Sequence, residues 1–354
     1  MKLPNINIVF TTQASSAIAR SEKGIVALIL RDAKENGGHV LTGITQIPEG
    51  LGLANQNYIK RAFLGYVNPP KKIILYVLPA GAADLSEALT YLETQTFDYL
   101  AGPADISAAE SGEIVTWIKA QNNLGFTPKA VLPNTAGDNE MIINFTTENI
   151  SAGGVTFTAA EYCSRIAGLL AGTPMTISCT YAQLPEVTDV ERLTKDEMDE
   201  AIDKGKFILL YDGEKVKVGR GVNSLQTQTP SKGEAFKKIK IVEIVNTIHN
   251  DIRKTVDDNY IGKYANSYDN KCLLITAIKG YFVELENSGI LEAGTSLVDI
   301  DLDAQKEYLQ SIGKDISLMK EQDIKMAATG DKVFLKATIS ILDAIEDINL
   351  TITI

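Results

Sequence analysis

Between residues 24 and 213, short apolar runs alternate with amphipathic segments. The run at 24–30 (GIVALIL) is apolar at every position after its glycine, which is typical of a strand buried on both faces. Six further segments have the length and composition of strands: 72–78, 97–102, 129–133, 140–145, 175–181 and 207–213. Strands that alternate with helices in this way indicate an α/β layered domain.

The helices between these strands have recognisable first turns. When a Ser, Thr or Asp stands three residues before a Glu, each side chain can accept a hydrogen bond from the other residue's backbone N–H, as in a capping box. This spacing predicts helix starts at five pairs, namely Asp84/Glu87, Ser107/Glu110, Thr158/Glu161, Thr194/Glu197 and Ser231/Glu234.

After residue 213 the pattern changes. Segment 215–229 is typical of a strand followed by a loop, whereas 237–258 has an apolar stripe at helical spacing and predicts a long amphipathic helix. A second helix is predicted at 271–287 and a short one at 303–312. This part of the chain therefore predicts an α+β fold.

Alternating apolar positions mark both ends of the chain. Near the start, Ile6, Ile8 and Phe10 share one face, and the polar segment 11–22 after them is predicted to be a tether. Such a tether would span about 40 Å if fully extended. Near the end, one alternating segment contains Val333, Leu335, Ala337, Ile339 and Ile341, and the next contains Ile348, Leu350, Ile352 and Ile354. The turn-like DAIED between them predicts a hairpin that ends on the last residue.

The last seven residues (INLTITI) contain neither a charge nor a proline. Proteins usually protect an exposed edge strand with such residues, because an unprotected edge pairs with other chains. Two explanations remain open at this point. Either both terminal strands pair inside their own subunit, or a tethered strand completes the sheet of a neighbouring molecule.

Composition and charge exclude several classes of protein. The 354 residues carry a net charge of −11, which gives no overall attraction to nucleic acid or to an anionic membrane. The early residues lack a secretory signal, and no run is long enough to cross a bilayer. We therefore expect a protein that is made in the cytoplasm and remains soluble. The length suggests about two domains.

Candidate chemistry is sparse, and we predict no catalytic, cofactor-binding or metal-binding residues. The histidines, His39 and His249, are expected at the surface or at an interface, and the cysteines, Cys163, Cys179 and Cys272, are expected to be small buried side chains. Gly219 and Gly221 begin like a dinucleotide-binding loop, but Ser224 stands where the third glycine belongs. The spacing of Asp299, Asp301 and Asp303 imitates a calcium loop that lacks its later ligands, and the acidic stretch 186–203 is explained as a solvated helix face.

Segments along most of the chain resemble one family, the contractile tail sheath proteins of phages and phage-tail-like particles. The strongest match is 238–271 (KIKIVEIVNTIHNDIRKTVDDNYIGKYANSYDNK). The others, in chain order, are 3–10 (LPNINIVF), 17–32 (AIARSEKGIVALILRD), 219–227 (GRGVNSLQT) and 330–354. The resemblance is closest to the short sheath proteins of Gram-positive myophages, defective prophages and R-type bacteriocins of the diffocin kind.

The resemblance implies a structural subunit rather than an enzyme. Such subunits stack as six-fold rings around an inner tube, and the polymer contracts to drive the tube through a cell envelope. Because no nucleotide site is visible in the sequence, we further expect the energy to be stored at assembly and the extended polymer to be metastable. The resemblance also implies an outer α/β domain, 23–213, inserted into an inner α+β core, 214–342, with an N-terminal arm, 1–22, and a C-terminal arm, 343–354. Each arm would add a strand to a neighbour's C-terminal hairpin, with Ile6, Ile8 and Phe10 in one arm and Ile348–Ile354 in the other, and with 333–342 as the receiving sheet.

The partners implied by the resemblance are other copies of the chain, a tail tube protein, a baseplate, and terminator or collar proteins, with no direct contact to nucleic acid or membrane. Assembly would take place in the cytoplasm of a bacterial host. For the tube contact we predict the short helix at 303–312, through Lys306, Glu307 and Gln310, and the alternative is the basic cluster Lys237, Lys238 and Lys240. Two other functions remain open, an α/β enzyme for a small acidic or sugar-like substrate and a non-contractile self-assembling shell protein.

Overall fold

The structure is a computed structural model that describes residues 18–20 and 23–353. The chain forms two compact units. The first, which we call the α/β unit, comprises Ser21–Asn250 together with Asp343–Ile354, and the second, which we call the helical unit, comprises Met1–Arg20 together with Asp251–Leu342. The mixed α/β fold class expected from the sequence is confirmed. The chain passes from the α/β unit to the helical unit after Asn250.

The α/β unit is built on a seven-stranded sheet. The strands of this unit are β1 (Ile25–Asp32), β2 (Gly37–Leu41), β3 (Lys72–Pro79), β4 (Tyr99–Ala101), β5 (Lys129–Pro133), β6 (Ile142–Phe145), β7 (Ile150–Ala152), β8 (Val155–Phe157), β9 (Val187–Asp189), β10 (Lys206–Phe207), β11 (Leu209–Tyr211) and β12 (Val216–Val218). The large sheet has the order β10-β6-β5-β4-β1-β3-β2, and all its pairs are parallel except β2 with β3. Smaller sheets pair β8-β7-β9 and β11-β12.

Helices cover both faces of the large sheet. The helices are α1 (Leu53–Phe63), α2 (Ser86–Leu92), α3 (Ala108–Asn123), α4 (Ala159–Ala171), α5 (Lys195–Asp203) and α6 (Ile239–Asn259), the last of which continues across the division at Asn250. Successive residues of β1 point to opposite faces. Leu28 therefore packs in the core layer that contains α1 and α4, while Ile29 packs in the layer that contains α2 and α3. Burial on both faces explains why this strand is apolar throughout.

The helical unit contains α7 (Tyr268–Asn287), β13 (Leu297–Ile300), α8 (Leu302–Ser311), α9 (Glu321–Met326) and β14 (Leu335–Thr338). β13 and β14 form an antiparallel two-stranded sheet, and a further bridge joins Leu291 to Ile341. The long helix, α7 and the short helix α8 agree with the segments expected from the sequence.

Three capping boxes are confirmed, at Ser107/Glu110, Thr158/Glu161 and Thr194/Glu197. The other two expectations were wrong. Asp84 accepts a hydrogen bond from the backbone of Ser86 in a turn before α2. Segment 231–237 ends in a 3-10 helix without a side-chain cap, because that short helix starts from Gly233.

Two expected strands also differ from the structure. Segment 175–181 is not a strand, because Thr180 N donates to the Ser178 hydroxyl (3.1 Å) and Tyr181 adopts a positive φ of 58°, which turns the chain. Segment 207–213 is divided between β10 and β11, so the chain changes sheets at Ile208.

The C-terminal hairpin expected from local pattern was wrong within the described residues. β14 pairs with β13 instead of with 348–354, and residues 348–353 form no strand. The physical reason lies in the DAIED segment, whose acidic side chains are bound elsewhere, as described below.

Candidate assembly interface

The small sheet of the helical unit leaves apolar side chains uncovered. In β13, Leu297 is 66% exposed, and just before β14 Val333 is 42% exposed. Leu335 is half-buried and Ala337 is exposed, both within β14. Ile339 and Ile341 are half-buried and lie beyond the strand. The five residues expected to receive a strand therefore lie along one segment whose sheet is only two strands wide.

The C-terminal segment leaves its apolar side chains almost completely in solvent. Ile348, Leu350 and Ile352 are 79%, 78% and 74% exposed, and within the described residues they pair with no strand. Ile354, the fourth member of this set, lies outside the described residues. Several large apolar side chains exposed close together are uncommon on the surface of a soluble monomer and mark sites of protein association.

The segment just before these residues, Asp343–Asp347, is bound to the α/β unit by polar contacts. Arg220 Nε donates to Glu346 Oε2 at 2.9 Å, and its Nη2 donates to Asp347 Oδ2 at 2.6 Å. Asp343 forms an ion pair with Lys238, immediately before α6. We call this segment and its partners the C-root.

Two hydroxyl groups complete the binding of Glu346. Ser178 Oγ and Thr180 Oγ1 both donate to Glu346 Oε1, at 2.9 and 2.6 Å. Burial by itself would raise the pKa of Glu346, but the hydrogen bonds from Thr180, Arg220 and Ser178 lower it below its usual value. Glu346 is therefore held as a carboxylate with both oxygens occupied.

The beginning of β1 is bound by a buried group of charges that we call the N-root. Backbone N–H groups of Gly24 and Ile25 donate to Asp98 Oδ2 at 2.7 and 2.8 Å. Glu243 of α6 forms ion pairs with Lys23 and with Lys129, the latter at 2.8 Å. The hydroxyl of Tyr99 also donates to Glu243, at 2.6 Å.

Burial affects the two acids of the N-root differently. Burial raises the pKa of Asp98 despite the attraction of Lys129. Burial would also raise the pKa of Glu243, but the ammonium groups of Lys129 and Lys23 lower it well below its usual range. Because a buried carboxylate with two cationic partners is costly to leave unpaired, the N-root fixes the chain firmly at Lys23.

The apolar residues expected in the N-terminal arm, Ile6, Ile8 and Phe10, lie outside the described residues. The segment expected to be a tether is described at 18–20. There Ile18 is buried, and Arg20 Nη2 donates to Ser288 Oγ at 2.9 Å within the helical unit. Ile18 and Arg20 therefore contact other parts of the chain, although the segment was expected to be a tether.

The residues expected to contact a tube lie on α8. Glu307 and Gln310 are exposed and Lys306 is half-buried. In the alternative basic cluster, two lysines already have acidic partners in the same chain, since Lys237 pairs with Glu234 at 3.1 Å and Lys238 pairs with Asp343. The third, Lys240, is only 7% exposed.

The segments that imitated ligand sites have structural roles. Asp301 caps α8 by accepting from Ala304 N at 3.1 Å, and Asp299 pairs with Lys325 at 2.5 Å. Cys163 and Cys179 are buried and Cys272 is half-buried. In the part of the chain that the structure describes, no group of His, Cys, Asp and Glu side chains is placed to hold a metal ion. None of the described helices has both the length and the apolar character needed to cross a membrane.

The role of Arg220 was not predicted. This residue lies in the imperfect dinucleotide loop and in the matching segment 219–227, but its guanidinium joins two acids that are 126 and 127 positions later. A signal was present, because the acidic DAIED segment lies between two alternating apolar segments and its carboxylates require basic partners. Which base would serve depends on the fold.

Comparison with known proteins gives a consistent result. A family model described as the phage tail sheath protein central domain matches residues 79–224, and a model described as the phage tail sheath C-terminal domain matches 231–354. The tail sheath protein of Clostridium phage phiCD119 is 41% identical over 357 residues, covering 99% of this chain and 99% of that protein.

Solved structures share the fold at lower identity. The helical sheath of the anti-feeding prophage in its contracted state superimposes with a TM-score of 0.72 and 14% identity, covering 100% of this chain and 99% of the other. A sheath tail protein from Desulfitobacterium hafniense superimposes with a TM-score of 0.70 and 18% identity, covering 84% of this chain and 94% of the other.

Proposed function

Because the chain belongs to the phage tail sheath protein family, we propose that it is the subunit of a contractile sheath. It would polymerise as six-fold rings around an inner tube and shorten to drive that tube through a target cell envelope. The family is structural, so an enzyme that acts on a small acidic or sugar-like substrate is no longer a competing explanation.

One observation carries the proposal. Ile348, Leu350 and Ile352 alternate along a segment that is anchored at Asp347 and exposed beyond it. An extended segment of this kind can add to an open sheet edge, where main-chain hydrogen bonds supply affinity and alternate side chains fix the register. The sheet formed by β13 and β14 is the proposed receiver, through Val333, Leu335, Ala337, Ile339 and Ile341.

The N-terminal arm is proposed to act in the same way. Its alternating residues, Ile6, Ile8 and Phe10, would pair with the receiving sheet of another neighbour. Because Ile18 is buried and Arg20 is hydrogen-bonded to Ser288, these two residues would not act as part of a free tether.

We propose that the inner part of each ring is formed by the chain from 214 to 342, with 23–213 outside. The tube contact is proposed for α8, whose Lys306, Glu307 and Gln310 offer a small polar surface that can bind and release. Charge reversal at Lys306 and Glu307 should weaken sheath assembly on purified tubes. The same reversal at Lys237 should not, and the opposite result would move the tube contact to the basic cluster.

The energy for contraction is proposed to be stored during assembly, with the extended sheath as a metastable state. Subunits joined by strands can rotate as bodies while their hydrogen bonds persist. Contraction should then release heat, and a calorimetric trace without heat release would refute the metastable state.

Removal of residues 348–354 tests strand donation, because it leaves the C-root intact. We expect a folded subunit that no longer forms sheaths, observed by negative-stain microscopy together with circular dichroism. A matched control replaces the polar residues Thr351 and Thr353 by Ser and should assemble normally. Normal sheaths from the truncated chain would refute strand donation.

The proposed partners are other copies of the chain, a tube, a baseplate, and terminator or collar proteins, with assembly in the cytoplasm of a bacterial host. Sheaths formed in two lengths, before and after triggering, would separate this function from that of a non-contractile shell.

A further inference from the structure

Two segments of the α/β unit, the start of β1 and Asp343–Asp347, are held near the beginning of one helix. Lys238, the partner of Asp343 in the C-root, immediately precedes α6. Glu243, the partner of Lys23 in the N-root, lies in the second turn of the same helix. Lys240 stands between them, and one small cavity is lined by Lys23, Lys240 and Glu243. The beginning of α6 is therefore a shared anchor for the two arm roots.

The contacts of the C-root converge on charged groups. Arg220 uses two of its nitrogens to bind two successive acids, and hydrogen bonds between charged groups are stronger than neutral ones. The side chain of Glu346 is only 9% exposed although it belongs to a terminal segment. A segment bound only by nonspecific contacts would not bury a carboxylate in this way, because burial without partners is costly.

The apolar residues that follow are not covered by this binding. The C-root is fixed at Glu346, whereas Ile348 is 79% exposed only two residues later. The contacts therefore do not hide the apolar strand against its own subunit. They hold the base of the strand and leave its apolar residues available.

We propose that the C-root is a clamp that presents the C-terminal strand in a fixed position before a neighbour arrives. This inference rests on the proposed strand donation and adds how it is controlled. A strand whose base is already ordered loses less conformational entropy when it pairs. Arg220 and Lys238 are positioning residues in this account, because they act through the arm and do not touch the receiving sheet.

The two roots should respond differently to salt. In the N-root the side chains of Lys129 and Glu243 are 4% and 13% exposed, whereas in the C-root Arg220 is 34% and Asp347 is 81% exposed. Salt screens exposed charges much more than buried ones. The C-root is therefore the releasable attachment and the N-root the permanent one.

The first experiment measures the clamp in the free subunit, so that it does not depend on polymer formation. Nitroxide labels are placed at Ile345→Cys and Glu214→Cys in a Cys272→Ser background, and distances are measured by pulsed electron resonance in dilute monomer. We expect one narrow distance distribution. Arg220→Gln or high salt should broaden it, while Lys195→Gln, which removes an exposed ion pair with Asp199 in the same unit, should not at unchanged salt.

The second experiment measures assembly by the lowest subunit concentration that forms sheaths. Loss of two partly exposed charged contacts should raise this concentration about tenfold for Arg220→Gln. Combining Arg220→Glu with Glu346→Arg should restore much of the loss. A distance distribution unchanged by Arg220→Gln would overturn the clamp. So would an unchanged assembly concentration, provided that the 348–354 truncation abolishes sheaths. Sheaths from that truncation would instead count against strand donation, whatever the distances show.

Discussion

The seven-stranded sheet and the β13–β14 sheet both contain large apolar side chains, but these are mostly buried in the first sheet and partly exposed in the second. In β1, Leu28 and Ile29 are completely buried because helices cover both faces. In the small sheet, Leu297 remains 66% exposed, and the alternating Leu350 of the C-terminal arm is 78% exposed. One sheet is completed by its own chain, whereas the other leaves apolar residues exposed, which we propose are covered by a neighbouring subunit. We therefore expect substitutions in the first to affect folding and substitutions in the second to affect assembly.

The largest expected effect separates these two properties. Leu350→Asp should abolish sheath formation, because it places a charge on the proposed apolar face of the donated strand. It should leave the free energy of unfolding of the monomer unchanged, because Leu350 is already in solvent. Leu28→Ala should instead lower that free energy by about 2–5 kcal/mol through a cavity in the core.

Chemical denaturation and microscopy of both variants would check this separation. If Leu350→Asp destabilised the monomer as much as Leu28→Ala, the C-terminal segment would be part of the subunit's own core and the comparison would fail.

The N-root provides the next largest effect. Glu243→Ala leaves the buried ammonium of Lys129 without its carboxylate, and breaking a buried pair in this way costs about 3–5 kcal/mol. We expect a lower denaturation midpoint, whereas Glu214→Ala, at an exposed turn in the same unit, should change it by less than about 0.5 kcal/mol. Equal effects from both substitutions would show that the N-root is not a structural anchor.

A smaller effect on the binding of the C-root should follow when the pH is lowered. In the C-root, burial opposes ionisation of Asp343 and Glu346, but their hydrogen-bond partners lower the pKa of both. A carboxylate with a lowered pKa stabilises the bound form above its unfolded pKa, and this contribution is lost as the pH falls through the folded pKa.

The charged groups that face these acids are Lys238, Lys240, Arg220 and Asp347, and the bases among them keep their charge in acid. The C-root should therefore remain bound at pH 6 and loosen below about pH 4. The distance distribution between residues 345 and 214 would detect this change, and a distribution equally narrow at pH 3 and pH 7 would contradict it.

Much of the fold follows from local pattern. Continuous apolar runs identified β1 and β3, and Ser107, Thr158 and Thr194 marked true helix starts because a capping box needs only residues three apart. The failures involve partners distant in sequence. Segment 333–342 was expected to pair with the next segment along the chain, but β14 pairs with β13, about 40 residues earlier.

The candidate site was predictable only in part. Alternation predicted an unprotected apolar strand at Ile348, Leu350 and Ile352. These side chains are exposed, but within the described residues they form no strand. The basic partners of the DAIED segment could not be found in this way. Arg220 and Lys238 are brought to Glu346 and Asp343 by the fold of the α/β unit, and no local spacing encodes that approach.

The most direct test of strand donation joins the donor to the receiver in assembled sheaths. Single cysteines at Leu350 or Thr351 would be combined with cysteines at Lys336 or Ala337 in a Cys272→Ser background, and the sheaths would be oxidised. Strand neighbours bring such pairs within disulfide distance. Strand donation predicts a ladder of covalently linked multimers on a non-reducing gel for at least one pairing on each face. If intact sheaths gave only unlinked or internally linked single chains for every pairing, the C-terminal strand would not be donated to this sheet.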